Sequence, residues 1–407
     1  MRCGLLGKKL GHSYSPQIHS HLGEYFYELF EKAPEELEEF LRHVDFQGLN
    51  VTIPYKKDVI PYLDELSDRA AELGAVNTIV RRPDGRLIGH NTDYFGFQSM
   101  LLRSGLDVNG KKVLVLGSGG ASATAVAVLR KEGATVIVIS RSGADNYDNI
   151  QKHEDTAVIV NATPVGMYPH TGTAPVDIRI FPHLEGVLDI VYNPARTQLL
   201  LDAEKMGIVA ENGLWMLVAQ AKESAEWFTG RSIEDDRISV IHGVLRRQME
   251  NIVLIGMPGC GKSTIGKYLA EHLDKKFVDA DTRIEMQAGK SIPDIFAQSG
   301  ENGFRSLETD VLFQLGKESG LVIATGGGCV TRNDNYPALH QNGRVIWIQR
   351  DLNVLPTEGR PLSQMGKLEQ MYMIRKPMYE SFADAIIENN NSPMDAVKKI
   401  LDLEGYE

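Results

Sequence analysis

The residues Gly256-Met257-Pro258-Gly259-Cys260-Gly261-Lys262-Ser263-Thr264 follow directly on the apolar stretch Ile252 to Ile255. A strand, a glycine turn and a helix in that order aim backbone N–H groups and a helix N-terminus at an anion. In such a loop the backbone takes phosphates, Lys262 meets the β/γ charge and Ser263 ligates magnesium. Gly256, Gly259, Cys260, Gly261, Lys262, Ser263 and Thr264 are therefore the expected ATP-binding residues. A second run, Gly117-Ser118-Gly119-Gly120-Ala121-Ser122, follows Val113 to Leu116. It has the same order of elements without the Lys and Ser that serve a β/γ-phosphate, which suits a dinucleotide held by Gly117, Gly119, Gly120 and Ala121. Ala134 to Ile139 supplies the next strand of that unit, and Ser140-Arg141-Ser142 stands at its end in place of a ribose-binding acid. A guanidinium and hydroxyls suit a 2′-phosphate, so Ser140 and Arg141 favour NADP(H); the alternative is a plain surface Arg.

Other residues with chemical potential lie outside the loops. Phe277-Val278-Asp279-Ala280-Asp281 puts two carboxylates at a strand end, and Thr325-Gly326-Gly327-Gly328 follows the strand Leu321–Ala324. Arg305 has Glu308 one turn on, and Arg360 and Arg375 add further cations. Lys56, beside Lys57 and Asp58, reads by default as a solvated lysine, and Thr92-Asp93 as the start of the helix 94–102. Ser15 before Pro16 reads as a helix N-cap, Asp281 as a cap of the helix 282–287, and Arg305 with Glu308 as a surface i,i+3 pair. His12, His19 and His21 lack carboxylate spacing for a metal and read as polar residues of a helix.

The elements that must position these groups alternate between strand-like and amphipathic runs, the α/β signature. Apolar runs recur at 135–139, 157–160 and 186–190, and helical patterns at 214–228 and 238–248. A chain of 407 residues makes roughly two to three domains. The reading places a substrate-binding domain at 1–95, with helices of 212–247 packing back on it. A dinucleotide domain follows at 96–211 and a P-loop domain at 250–407, with almost no linker near Arg246–Glu250. A net charge of −11 argues against broad nucleic-acid binding. The three cysteines form no metal or redox spacing. No signal segment or membrane span is evident, so a cytoplasmic protein is expected.

The motifs Gly11 to Pro16, Asn50-Val51-Thr52-Ile53-Pro54-Tyr55-Lys56, Ala75 to Thr78 and Asn91-Thr92-Asp93 occur in order with Asn161 to Met167, Asp189 to Pro194 and Gly213 to Gln220. Over residues 1 to about 245 the chain resembles shikimate dehydrogenase. The resemblance implies a two-lobed fold with a Rossmann NADP domain, Lys56 and Asp93 as the catalytic pair, and Ser13 and Ser15 near a carboxylate. It further implies that Thr52, Asn77 and Gln220 hold ring hydroxyls, that Tyr192 lies near the carboxylate or nicotinamide, and that Gly213 borders NADP. Asp145 stands where NADP forms of the family often carry a further Arg.

Residues 250 to about 405 resemble shikimate kinase, on the phosphate loop and the four motif groups around Asp279, Arg305, Gly327 and Arg360 with Arg375. The resemblance implies a parallel P-loop fold of the nucleoside-monophosphate-kinase kind. Arg305 and Arg375 pair with the shikimate carboxylate, Gly327 and Gly328 admit the ring, and Asp281 contacts the attacking hydroxyl. Asp279 with Ser263 holds Mg2+, and Arg360 on a short lid neutralises the moving phosphoryl group. The combined expectation is reduction of 3-dehydroshikimate followed by phosphorylation of shikimate, by a monomer or homodimer whose partners are small molecules. Two alternatives stay open on the residues alone: a quinate/shikimate dehydrogenase with a weak kinase, and a shikimate-sensing regulator without catalysis.

Overall fold

Val113 to Leu116 are apolar at every position and all four side chains are buried, the mark of a parallel strand covered on both faces. Val113 and Val115 join a cluster with Phe97, Met100, Leu129 and Val160, while Leu114 and Leu116 join Ile139, Ile159, Phe181 and Leu199. The two-residue period of the strand thus serves two cores at once.

A computed structural model describes residues 1–11, 13–355 and 365–405. The chain divides into two units, one of Met1–Met167, Thr173–Tyr192 and Leu199–Leu245, the other of Tyr168–Gly172, Asn193–Gln198 and Arg246–Glu407. In the first, β1 (Arg2–Gly7), β2 (Phe26–Glu31), β3 (Gly48–Val51), β4 (Glu65–Leu66), β5 (Thr78–Arg81) and β6 (Leu87–His90) make a mixed sheet in the order β2-β1-β3-β5-β6-β4. Its core gathers Leu6, Phe40, Phe46, Leu49 and Tyr55.

The same unit holds a parallel sheet of β7 (Lys112–Leu116), β8 (Thr135–Ile139), β9 (Val158–Asn161), β10 (Gly186–Asp189) and β11 (Val209–Asn212), ordered β11-β10-β9-β7-β8. The order reverses at β7, and the crevice beyond the carboxyl ends at such a reversal is where doubly wound sheets take ligands. The first glycine loop lies there. Helices Asp93–Ser104 and Leu214–Thr229 pack on one another. Gly96 permits the approach, since a Cβ there would stand 2.8 Å from the Met216 carbonyl oxygen.

The second unit is built on a parallel sheet of β12 (Asn251–Ile255), β13 (Lys276–Asp279), β14 (Leu321–Ala324), β15 (Gly343–Gln349) and β16 (Ala385–Glu388), ordered β13-β14-β12-β15-β16. The phosphate loop leaves the central strand, β12. The helix Asp236–Met249 ends one residue before β12, and the division between units falls within it, after Leu245. Lys275 Nζ donates to the carbonyls of Arg247, Gln248 and Glu250 at 2.7, 3.2 and 2.7 Å, capping the end of that helix with a cation. Among the described residues no helix is long and apolar enough to cross a membrane.

His19 lies in the helix Ser15–Ser20, as expected, with His21 at its C-cap, but on the buried side of that helix. His19 is buried, stacked on Tyr27 with ring centroids 4.0 Å apart, and hydrogen-bonded to the Tyr25 hydroxyl at 2.6 Å. Burial holds it well below the usual histidine range, at about 3, so it is a neutral core residue. His12 lies outside the described residues.

Candidate active sites

In the first unit, the turn after β3 brings Lys56 to the start of the helix Asp93–Ser104. Lys56 Nζ donates to Asp93 Oδ2 at 2.5 Å, and the side chains are 23% and 11% exposed, so Lys56 is no solvated surface lysine. The Val76 N–H donates to the Lys56 carbonyl at 2.7 Å and fixes the turn. Asp93 is also held from the other side. The Thr92 N–H donates to Asn77 Oδ1 at 2.7 Å, which leaves Asn77 Nδ2 to donate to Asp93 Oδ1 at 2.9 Å. A backbone donor can face only the amide oxygen, so the orientation of Asn77 follows from its neighbours.

Beneath this pair lies a set of buried polar groups that the sequence reading missed. Ser224 Oγ donates to the Gln220 carbonyl at 2.9 Å and accepts from Asn50 Nδ2 at 2.8 Å. Its contacts with Thr78 Oγ1 and Thr92 Oγ1 are 2.8 and 2.9 Å. Asn50 Oδ1 in turn accepts from the Tyr27 hydroxyl at 2.7 Å. Ser224 and Asn50 are 174 residues apart, and no local spacing signals that they meet. A helical serine four residues after Gln220 was the available hint.

The other expected substrate residues are distributed around this centre. Ser13 Oγ accepts from the Ser15 N–H at 3.2 Å. Ser15 is the first residue of the short helix Ser15–Ser20 and Tyr14 occupies the N-cap position, so the expected capping role of Ser15 is corrected. The Thr52 N–H donates to the Leu6 carbonyl at 3.0 Å, which sets Thr52 at the carboxyl end of β1. Tyr192 meets Tyr14 edge-on, with centroids 6.2 Å apart. Gln220 Nε2 donates to the Leu217 carbonyl at 2.8 Å.

At the first glycine loop, Gly117 has φ +102° and Gly119 is the N-cap of the helix Gly120–Lys131, which continues through Ala121. Gly213 caps Leu214–Thr229. A Cβ there would collide with the Ile190 carbonyl, so packing alone demands glycine. Ser140 and the exposed Arg141 follow β8. Asp145 is engaged with His153 Nε2 at 3.0 Å, and its carbonyl accepts from the Ser140 N–H at 3.2 Å.

In the second unit Gly256 has φ +141°, and the loop it opens is closed on itself. Lys262 Nζ donates to the carbonyls of Gly256 and Met257 at 2.8 and 3.1 Å. Ser263 Oγ donates to Asp279 Oδ2 at 2.7 Å. Asp279 Oδ1 accepts from the N–H groups of Asp281 and Thr282 at 3.1 and 3.4 Å. The cap of the helix Ala280–Ala288 is therefore Asp279, and Asp281, expected as a cap, is freed for the cavity. Burial, with Asp279 and Glu308 alongside, pushes the Asp281 carboxyl up to about 6. Gly259, Lys262, Ser263, Thr264, Asp281 and Gly327 line one cavity of about 410 Å³. Cys260, within the loop, is buried.

Arg305 and Glu308 do not form the expected surface pair. Arg305 Nη1 donates to Glu308 Oε2 at 2.8 Å with side chains only 10% and 1% exposed. Gly328 lies directly against the guanidinium, where a Cβ would collide with it. Arg375 Nη1 donates to the Gly327 carbonyl at 3.0 Å, and Tyr379 donates to the same oxygen. The glycine turn thus seats two arginines at successive residues, the planar forks suited to a carboxylate. Arg305 Nε and Glu308 Oε1 are buried without a hydrogen-bond partner. Arg360 lies outside the described residues.

Comparison with known proteins finds a family match in each of the two units. The family model for the shikimate dehydrogenase substrate binding domain matches residues 5–79, and that for shikimate kinase matches residues 258–403. A shikimate dehydrogenase (NADP(+)) of Clostridium perfringens is 35% identical over 253 residues, covering 57% of this chain and 93% of its own. The crystal structure of shikimate dehydrogenase 1 from Peptoclostridium difficile is 38% identical with a TM-score of 0.55, covering 60% of this chain and 97% of that one. A chorismate mutase/shikimate 5-dehydrogenase fusion from Clostridium acetobutylicum is 37% identical with a TM-score of 0.57, covering 60% and 96%. The chain belongs to the shikimate dehydrogenase family and carries a shikimate kinase domain behind it, a bifunctional enzyme of the shikimate pathway that uses NADP and ATP.

Proposed function

We propose that the first unit reduces 3-dehydroshikimate to shikimate at Lys56 and Asp93. Hydride reaching the carbonyl carbon from reduced nicotinamide drives the C=O π pair onto oxygen, and Lys56 donates the proton that this oxygen takes up. Asp93 holds the lysine amine and contacts a neighbouring substrate hydroxyl. Ser13 and Ser15 hold the substrate carboxylate, while Thr52, Asn77, Gln220 and Tyr192 border the ring. Gly117, Gly119, Gly120, Ala121, Ser140, Arg141 and Gly213 border NADP. The observation that supports this most is the Lys56–Asp93 contact, gripped from behind by Asn77.

The second unit, in this reading, transfers the γ-phosphoryl group of ATP to the shikimate 3-hydroxyl. Asp281 takes the hydroxyl proton as its oxygen bonds to phosphorus and the bond to ADP breaks. Lys262 and Arg360 neutralise charge on the phosphoryl oxygens. Arg305 and Arg375 hold the substrate carboxylate, with Gly327 and Gly328 against the ring. Ser263 and Asp279 offer paired oxygens, a donor set that suits Mg2+ completed by water and phosphate; once bound, that ion offsets phosphate charge. We read the protein as cytoplasmic, a monomer or homodimer, with no nucleic acid or membrane among its partners. The domain limits we assign are 1–95 with 212–247, then 96–211, then 250–407.

The test supplies 3-dehydroshikimate, NADPH and MgATP together and follows NADPH oxidation and ADP release. Lys56→Ala abolishes the first signal and spares phosphorylation of added shikimate, and Lys262→Ala does the reverse. Either substitution leaving its own step near wild type would remove that site from the mechanism.

A further inference from the structure

Arg350 stands just past the carboxyl end of β15, the strand that pairs with β12 where the phosphate loop begins. Ile255 is level with Trp347, and three residues further on lies Arg350. The loop rests on this side of the sheet. A Cβ at Gly256 would collide with the Ile348 carbonyl, and Asn389 Nδ2 donates to the Cys260 carbonyl at 2.8 Å. Arg350 lines the same cavity as Gly259, Lys262, Ser263 and Asp279.

The other cation of that cavity wall and the Asp279 carboxylate have partners within the protein, and Asp281, the remaining charge, is an acceptor at the far side of the loop from β15. Lys262 holds loop carbonyls, and Ser263 and Asp279 hold each other. Arg350 has no hydrogen-bond or ion-pair partner among the described residues, and its Nε is buried without an acceptor. A buried donor of this kind calls for an acceptor from outside. A guanidinium matches phosphate oxygens in charge and, through its planar fork, in geometry. The sheet order decides which ligand it faces. The turn Thr325–Gly328, with Arg305 and Arg375, follows β14, on one side of β12, whereas Arg350 follows β15 on the other. The sequence between Asp351 and Arg360 contains no Lys or Arg, so this stretch supplies no cation of its own.

We propose that Arg350 binds the phosphate chain of the nucleotide from the β15 side of the loop. The proposal rests on the reading of this cavity as the ATP site. The test uses the full chain with Arg350→Gln and Arg350→Lys, measuring ADP affinity by calorimetry, the KM values for ATP and shikimate, and the NADPH-dependent rate. Arg350→Gln should weaken ADP binding and raise the KM for ATP roughly tenfold or more. The KM for shikimate should stay within about twofold and the reductase rate should not change. Arg350→Lys, which keeps the charge and loses the fork, should fall between wild type and Arg350→Gln, and carries the test if the Gln variant does not fold. Unchanged ADP affinity in both variants, or a rise confined to the KM for shikimate, overturns the proposal. Failure of the wild-type chain to bind ADP at all would instead overturn the reading of the cavity.

Discussion

The Asp281 carboxylate is held at about 6 against an ordinary 3.8, first by burial and then by Asp279 and Glu308. A carboxyl with a raised folded-state value is easier to bury protonated than ionised. Its charge therefore costs no stability below pH 3.8, begins to cost stability as pH rises through the unfolded value, and costs the full amount above about 6. A gap of about two units corresponds to up to about 3 kcal/mol at pH 7.5 and about 1 kcal/mol at pH 4.5. Asp281→Asn removes that charge at nearly constant volume. The kinase unit of the variant should unfold about 6–12 °C higher than wild type at pH 7.5 and about 2–4 °C higher at pH 4.5. The assay is calorimetry of the full chain, with a parallel scan in ADP to mark the transition of the kinase unit, because two units need not unfold together. Phosphorylation should be lost in the variant. In the wild type its kcat/KM for shikimate should fall as pH drops below about 6. A variant less stable than wild type at pH 7.5, or a gain of equal size at both pH values, would refute the argument that the site is strained by this charge.

Other perturbations separate the two activities. Ser224→Ala strips a buried hydroxyl from Asn50, Thr78 and Thr92; the reductase kcat should fall roughly tenfold, with a stability loss of about 1–3 kcal/mol and kinase turnover unaffected. Reductase and kinase rates measured on one preparation read this directly, and an unchanged reductase kcat would remove Ser224 from the support of Asp93. Gly328→Ala drives a methyl group into the Arg305 guanidinium. The KM for shikimate should rise about tenfold or more, with ADP affinity unchanged by calorimetry. An unaltered KM would mean that Arg305 does not hold the substrate.

Contiguous apolar runs were legible because a strand covered on both faces needs no partner to announce it. The run 252–255 became β12 and 321–324 became β14, and the helix read at 214–228 spans Leu214–Thr229. The two phosphate loops were legible for the same local reason, since strand, glycine turn and helix are consecutive. Roles that depend on which distant element arrives were not. Asp279 and Asp281 are both acids at one strand end, and only the fold shows that the first caps the helix and the second is left in the cavity. The i,i+3 spacing of Arg305 and Glu308 predicted their contact but not its burial, because the glycine turn that covers them comes from another element. Arg350 carried no motif at all. Its place became visible once β15 was seen to lie beside β12.

The helix Asp236–Met249 belongs to both units. Ile238, Ile241 and Leu245 are buried on the dehydrogenase side of the division. Beyond it, the carbonyls of Arg247, Gln248 and Glu250 are the acceptors for Lys275. Anyone dissecting the gene would find no neutral place to cut. A kinase fragment begun at β12 would leave Lys275 facing water where those carbonyls stood, and a dehydrogenase fragment ended at Leu245 would fray at its last turn. Stand-alone halves should overlap, each carrying its own copy of this helix.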